Sequence, residues 1–319
     1  MTRPEWTVGV DFGGTYTKVG VVNRSGRVAA MRRLSSGGFR RPSQFVDAVS
    51  ATAEGLAAAV GTRPARLRGI GVGAPGSVDA TRGIVRSMVN VPGWRDVPLR
   101  RLLERRLGCR CAVDNDANCF ALAEHRLGAG QGADEMIGVT LGTGVGGGLV
   151  FGGELYRGAD GTAGELGHIV IDPRGGRCGC GRRGCLESWV GAAAIVRLGR
   201  RALRRGAGPL NALAARAGEV TPRLIGEAAR AGDARARAIW AEVGRRLGMG
   251  LADLTNALNP QRIVIGGGIA NNWALFAPTL MRTLRAEAME PPARTVRVVR
   301  ARLGDRAGIV GAAVLLWSA

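Results

Sequence analysis

Three observations predict an α/β fold built from two duplicated halves. Apolar strand-like runs alternate with amphipathic helix-like segments along most of the 319 residues, the order expected where helices cover a sheet. Val8-Gly-Val-Asp-Phe-Gly-Gly-Thr15 aligns without gaps on Ile137-Gly-Val-Thr-Leu-Gly-Thr-Gly144, so one strand-and-glycine-turn unit occurs twice. A chain of this length also outgrows a single small core and divides into two domains.

Val8 to Thr15 reads as a strand ending in a glycine turn, and Val19 to Val22 returns as the second strand of a hairpin. Arg68 to Val72 reads as a strand that opens into Gly73-Ala-Pro-Gly76. Leu99 to Leu107 follows as an amphipathic helix, Cys111 to Val113 as a short strand, and Ala117 to Leu127 as a helix. Ile137 to Gly144 repeats the strand and turn, with Gly148 to Phe151 returning. Gly206 to Ala231 is Ala- and Gly-rich, helical, and carries no functional signal. Val243, Leu247, Leu251, Leu254 and Leu258 recur at spacings of three and four, a helical core stripe. Asn259-Pro260 stops that helix, and Ile263-Val-Ile265 forms a buried strand opening into Gly266-Gly-Gly268. The domain break is placed near Asp116: residues 1–116 with 305–319 form a smaller domain, and 117–304 a larger one.

Composition excludes several classes. Hydrophobic residues at 46% and charged residues at 22% are ordinary for a globular chain. No run approaches the roughly 18 uninterrupted apolar residues that span a bilayer, so no membrane partner is expected. The first residues lack a basic start followed by an apolar run, which points to the cytoplasm. A net charge of +20 invites a nucleic-acid reading. However, Lys18 is the only lysine, and the arginines, such as Arg197, Arg200, Arg201, Arg204 and Arg205, lack interleaved aromatics. Without stacking platforms, no dedicated nucleic-acid partner is expected. Cys109, Cys111 and Cys119 stand among apolar residues as small hydrophobes.

Asp11-Phe-Gly-Gly-Thr15 sets a carboxylate at a strand end, two residues without side-chain bulk, then a hydroxyl. Gly13 and Gly14 let backbone N–H groups approach phosphate oxygens, and Thr15 adds a donor. Asp11 is placed to orient magnesium through water, an ion that sheds its hydration reluctantly. Gly142-Thr-Gly144 offers the same phosphate chemistry, as do Gly266, Gly267 and Gly268 after a third strand. Each turn taken alone reads equally as a tight hairpin; the set of three is the signal. Neither hairpin has the Lys-Ser/Thr ending of a P-loop or opens a helix, which excludes a Walker-type NTPase.

In Val113-Asp-Asn-Asp-Ala-Asn118, Asp116 falls at or near a helix N-terminus. It reads either as an N-cap, worth about 1 kcal/mol, or as the base that orients and takes the proton of a sugar hydroxyl. A helix N-terminus weakens a carboxylate base, which is tolerable where positioning outweighs basicity, as in phosphoryl transfer. Asn115 can hydrogen-bond a second hydroxyl, whereas Asp114 has the wrong strand parity for that face.

His168, Cys178, Cys180 and Cys185 make a Cys3His set that suits structural zinc, with glycines at 175, 176, 179, 181 and 184 allowing a tight fold. The alternative is a group of reduced, inert thiols. His125, without partners in the sequence, reads as a packing residue. Glu165 and Glu187 flank the set and can accept hydroxyl protons from a polyol, or else brace Arg182 and Arg183. His168 can bind zinc through one ring nitrogen and offer the other to the same polyol.

Together these segments resemble the ROK family of sugar kinases and repressors. The resemblance covers nearly the whole chain: Asp11 to Thr15, Gly73-Ala-Pro-Gly76, Asn90-Val-Pro-Gly-Trp94, Asn115-Asp-Ala-Asn118, Leu141 to Gly144, Glu165-Leu-Gly-His168, Cys178 to Glu187, Gly266 to Gly268 and Leu303-Gly-Asp305. It implies an actin-like, duplicated RNase H-type fold with the active site in the cleft between two domains. It further implies Asp116 as catalytic base, with Asn115, Glu165, His168 and Glu187 as hexose ligands and Asn90 and Gly76 lining the sugar pocket. ATP, Mg2+ and structural Zn2+ are the implied cofactors, and a homodimer or homotetramer the implied assembly. Relatives commonly place Lys directly after Gly-Gly-Thr; here Tyr16 stands there and Lys18 follows as a candidate phosphate ligand. Glucose, phosphorylated at its 6-hydroxyl, is the leading acceptor, ahead of N-acetylmannosamine, N-acetylglucosamine and fructose. A sugar-sensing regulator is the distant alternative: such members read DNA with a helix-turn-helix ahead of this core, and would not need Asp116.

Overall fold

The computed structural model of the protein describes residues 6–88, 91 and 93–317. Asn90, expected at the sugar pocket, lies outside the described residues. The chain runs β1 (Trp6–Phe12), β2 (Tyr16–Asn23), β3 (Val28–Ser35), α1 (Pro42–Ala59), β4 (Ile70–Ala74), β5 (Ser77–Asp79), β6 (Ile84–Ser87) and β7 (Arg95–Val97). Then come α2 (Leu99–Leu107), β8 (Cys111–Asn115), α3 (Asp116–Leu127), β9 (Met136–Leu141), β10 (Val145–Phe151), β11 (Glu154–Tyr156), α4 (Glu187–Val190) and α5 (Ala192–Leu203). The remainder is α6 (Pro209–Ala217), α7 (Pro222–Arg230), α8 (Ala234–Leu258), β12 (Arg262–Gly266), α9 (Trp273–Glu287), α10 (Pro292–Thr295), β13 (Arg297–Arg300) and α11 (Ala307–Val314).

The duplication is visible in the strand order. One sheet runs β3-β2-β1-β4-β8 and the other β11-β10-β9-β12-β13. In the first, β1 is antiparallel to β2 and parallel to β4, which is parallel to β8. In the second, β12 pairs in parallel with both β9 and β13, and β10 is antiparallel to β11. Each sheet therefore repeats one plan, in which an antiparallel hairpin leads into parallel strands connected through helices. This is the duplication that the two aligned segments predict, in the RNase H-type form that the family resemblance implies, with β1 and β9 as equivalent strands.

Two compact units result. The first comprises Met1–Asp134, Gly148–Gly164 and Ala301–Ala319, and the second Glu135–Gly147 and Glu165–Arg300. The sequence reading puts the break near Asp116 and the return at Asp305; in the structure the first unit extends to Asp134, takes in Gly148–Gly164 and resumes again at Ala301. Helix α3 accounts for the difference. Its Leu122 and Ala123 pack with Ile309, Val310, Ala313 and Val314 of α11 and with Val22 of β2, so burial ties it to the first sheet rather than to the second.

Beneath the first hairpin lies an aromatic cluster. Phe12 stacks on Phe45 with centroids 4.4 Å apart and meets Trp94 edge-on at 5.2 Å. Trp94 Nε1 donates to Phe39 O at 2.9 Å, satisfying the indole N–H inside the core. Because strand side chains alternate, anchoring Phe12 downward turns Asp11 to the opposite face.

In the second unit Val243, Leu247, Leu251 and Leu254 of the predicted stripe on α8 are buried and Leu258 is half-buried, and Trp240 packs against Phe276 of α9. Asn259 ends α8 in the left-handed conformation ahead of Pro260. At the other end, Asp233 caps the helix by accepting from the Arg235 and Ala236 N–H groups and ion-pairs with Arg235 at 2.9 Å. Burial pushes its pKa up, but Arg235 and the Leu210 and Ala236 N–H groups prevail and hold it down to about 2. A lowered folded-state pKa means stability present above the unfolded value and lost as pH falls. Denaturant unfolding should therefore show about 2 kcal/mol lost between about pH 4 and pH 2, a slope that Asp233→Asn flattens. Among the described residues no helix is long and apolar enough to cross a membrane.

Candidate active-site groups and metal centre

On the first unit, Asp11 is the last upward-facing residue of β1 before the glycine turn. Its carboxylate stands 3.5 Å from Lys18 Nζ. A Cβ added at Gly308, near the start of α11, would lie 2.6 Å from Asp11 Oδ2, so only glycine admits the carboxylate there. Burial raises the Asp11 pKa, opposed by the Lys18 ammonium. Gly13 closes the turn by donating to Asp11 O at 3.1 Å, and Gly14 and Thr15 are exposed. The hairpin thus offers open backbone at its tip, as phosphate contact requires.

The end of β8 and the start of α3 form the second group. Asn115, not Asp116, is the N-cap: its Oδ1 accepts from the Ala117 and Asn118 N–H groups at 2.8 and 3.3 Å, and its Nδ2 donates to Gly76 O at 3.0 Å. Asn115 and Gly76, both expected at the sugar, are therefore brought together, with the Asn115 amide engaged by the protein itself. Asp116 becomes the first residue of the helix, partly exposed, with Oδ1 accepting from the Ala117 N–H at 2.9 Å.

Asp114 points the other way, as its strand parity predicts, and is buried. Its Oδ1 accepts from the Asn115 N–H at 2.8 Å and Asn118 Nδ2 at 2.9 Å, and its Oδ2 from Arg157 Nε at 2.8 Å and Nη2 at 2.7 Å. Four charge-assisted contacts fix the turn that presents Asp116. The sequence reading missed Arg157, which lies 43 positions away and leaves no periodic trace. Replacing it with Ala leaves a buried, uncompensated carboxylate, which costs about 3–5 kcal/mol; thermal or denaturant unfolding reads the loss.

On the second unit, the β9–β10 turn closes through Gly142 N–H to Gly144 O at 2.9 Å, leaving Thr143 exposed. Gly267 adopts φ 86° and passes so near the backbone of Leu141 that a side chain would collide with it. Gly266, Gly267 and Gly268 thereby lie beside the Leu141–Gly144 turn, and two of the three glycine segments meet.

Glu187 opens α4 and reaches this turn: Oε2 accepts from the Val145 N–H at 2.9 Å, while Oε1 lies 3.5 Å from Cys178 Sγ. It therefore links the glycine hairpin to the cysteine cluster, and it does not brace Arg182 or Arg183. Glu165 is largely exposed, with Oε2 3.8 Å from His168 Nε2.

The ligand atoms of His168, Cys178, Cys180 and Cys185 all lie within 4.8 Å of one another. Tetrahedral zinc with Zn–S near 2.3 Å and Zn–N near 2.0–2.1 Å requires S···S of about 3.8 Å and S···N of about 3.6 Å. Cys180 and Cys185 sulfurs are 3.7 Å apart, and Cys178 Sγ is 3.6 Å from His168 Nδ1. The donor set fits zinc in type, number and spacing, and Nε2 of His168 faces outward to Glu165. Behind the loop, Arg246 lies 3.5 Å over the Trp189 ring and pairs with Asp172 at 3.2 Å and Glu242 at 2.7 Å. His125 bonds Ala133 O at 2.9 Å through Nε2, and burial lowers its pKa, consistent with a neutral packing residue.

Against known proteins, the sequence pattern of the ROK family matches residues 7–319. The chain is 37% identical to a glucokinase of Halalkalibacterium halodurans, over 96% of this chain and 93% of that one. It superposes on a ROK family glucokinase from Streptomyces griseus, solved with glucose and AMPPNP, with TM-score 0.85 and 36% identity over 98% of this chain and 100% of that one. A ROK family transcriptional regulator homologous to the E. coli MLC protein gives TM-score 0.88 at 27% identity, over 98% of this chain and 78% of that one.

Proposed function

The chain belongs to the ROK family, and from that membership we propose that it is an ATP-dependent hexose kinase acting on the 6-hydroxyl of glucose. One observation carries the reading beyond the family: a partly exposed Asp116 at the first position of α3, held there by a capping Asn115 and a buried Asp114–Arg157 pair. A regulator that only senses sugar has no need of a carboxylate so firmly aimed. The glucokinase relatives, one of them solved with glucose and a nucleotide analogue, support the same acceptor and donor.

In this reading the glucose hydroxyl oxygen attacks the γ-phosphorus of ATP. A new P–O bond forms, the bond to the β-phosphate oxygen breaks, and ADP leaves. The hydroxyl proton passes to Asp116, and Asn115, Gly76, Asn90, Glu165, His168 and Glu187 orient the sugar. Gly13, Gly14, Thr15, Gly142, Thr143, Gly144 and Gly266 to Gly268 cradle the nucleotide through backbone N–H groups. Asp11 would help hold Mg2+, which would neutralise developing phosphate charge when bound. His168, Cys178, Cys180 and Cys185 would hold zinc in a structural role, four protein ligands being the set of a closed site. The work is done in the cytoplasm.

A coupled ADP-release assay over glucose, mannose, fructose and the N-acetylated amino sugars tests this. Glucose is expected to give the highest kcat/KM. Binding of sugars with no turnover of any would favour the regulator instead, whose fold the chain shares.

A further inference from the structure

Lys18 is the chain's only lysine, and it stands three residues after Thr15 of the first glycine turn. Strand register explains where it points. Asp11 of β1 pairs with Lys18 of β2, which pairs with Arg33 of β3, so the three lie in one row across the sheet. Asp305, from the turn before α11, lies over that row. Its Oδ1 takes Lys18 Nζ at 2.6 Å, its Oδ2 takes Arg33 Nη2 at 2.7 Å, and its backbone O takes Lys18 Nζ at 3.2 Å. The result is an alternating row of two carboxylates and two cations.

An ammonium has three protons to give. Lys18 has three oxygen partners here: Asp305 Oδ1, Asp305 O and, at 3.5 Å, Asp11 Oδ2. Both of its hydrogen bonds go to Asp305, and Asp11 holds it as an ion pair. The turn that carries Asp305 is itself fastened: the buried Glu124 carboxylate, on α3, accepts from the Arg302 and Leu303 N–H groups at 3.0 and 2.8 Å. Asp305 thus draws the ammonium toward itself, leaving Asp11 flanked by Lys18 on one side and by Gly308 on the other.

We propose that Lys18 and Asp305, with Arg33, are positioning residues that hold Asp11 in place for the metal–nucleotide complex, and that Lys18 is not a phosphate ligand. The inference rests on the kinase reading, because its object is the work of Asp11 on MgATP.

A double-mutant cycle in the full chain tests it, using Lys18→Met, Asp305→Asn and the pair. Steady-state kinetics give KM for MgATP and for glucose, and calorimetry gives the affinity for Mg2+–AMPPNP. Each single change should raise the MgATP KM and weaken Mg2+–AMPPNP by about tenfold, with the glucose KM moved less than about twofold. The pair should cost no more than either single change, since both dismantle one fixture, and Lys18→Arg should recover most of the loss. Additive losses of about a hundredfold would overturn the proposal. So would tighter nucleotide binding in Asp305→Asn, the result expected if release frees Lys18 for a phosphate, or no change at all. Asp305 is exposed, so the sign of its effect decides the matter even if Lys18→Met does not fold. Failure of the unsubstituted chain to phosphorylate any sugar would strike the kinase reading instead, while the calorimetric cycle still reads the fixture.

Discussion

Asp116→Asn should lower kcat by a factor of about a thousand or more while the affinity for glucose stays within about twofold of the parent. The amide keeps the shape of the carboxylate and can still accept from the Ala117 N–H, so the helix start is preserved. Asn115 remains the cap and Asp114 remains paired with Arg157. The capacity to accept the hydroxyl proton is removed. General-base contributions are about 10²–10⁴-fold, and here the group also aims the nucleophile, which matters most where the transition state is loose. Single-turnover kinetics with glucose titration separates chemistry from binding. Turnover near the parent rate would assign the proton to another group.

The second large effect is expected from Cys180→Ser. Metal analysis should fall from one zinc per chain to none, and the KM for glucose should rise about 10–100-fold, the range seen when the surroundings of a metal site are disturbed. The reason lies in the connections of the loop. His168 carries Glu165 on its outer nitrogen, and Cys178 sits beside Glu187, whose other oxygen holds the Val145 N–H at the glycine hairpin. Loss of a bound metal would free His168 and Cys178, and with them two proposed sugar-binding carboxylates and one strand end of the proposed nucleotide turn. Nucleotide affinity should therefore fall as well. Zinc-free protein of full activity would contradict the assignment.

What was legible in the sequence follows from what is local. The helix at Leu99–Leu107 is found with its predicted ends, and the stripe from Val243 to Leu258 lies on the buried side of α8. The cluster of His168 with three cysteines assembles as its spacing predicts. Less was legible where short elements or distant partners decide. The β5-β6-β7 sheet is made of strands of three or four residues, too short to show a period. Asn115 and Asp116 are both good caps, so their order at the helix start could be settled only by geometry. Asp305 reaches Lys18 across 287 positions, and Arg157 reaches Asp114 across 43; such pairs are products of tertiary folding. The membership of α3 in the first unit likewise depends on its packing against α11.

A chain with one lysine has a single side-chain primary amine, and that amine lies mostly buried between two acids. Amine-directed acylation then has this one lysine side chain to modify. Mass spectrometry of the Lys18 adduct, timed with and without nucleotide, becomes a built-in reporter of when the row at the first glycine turn opens, with no engineered label required.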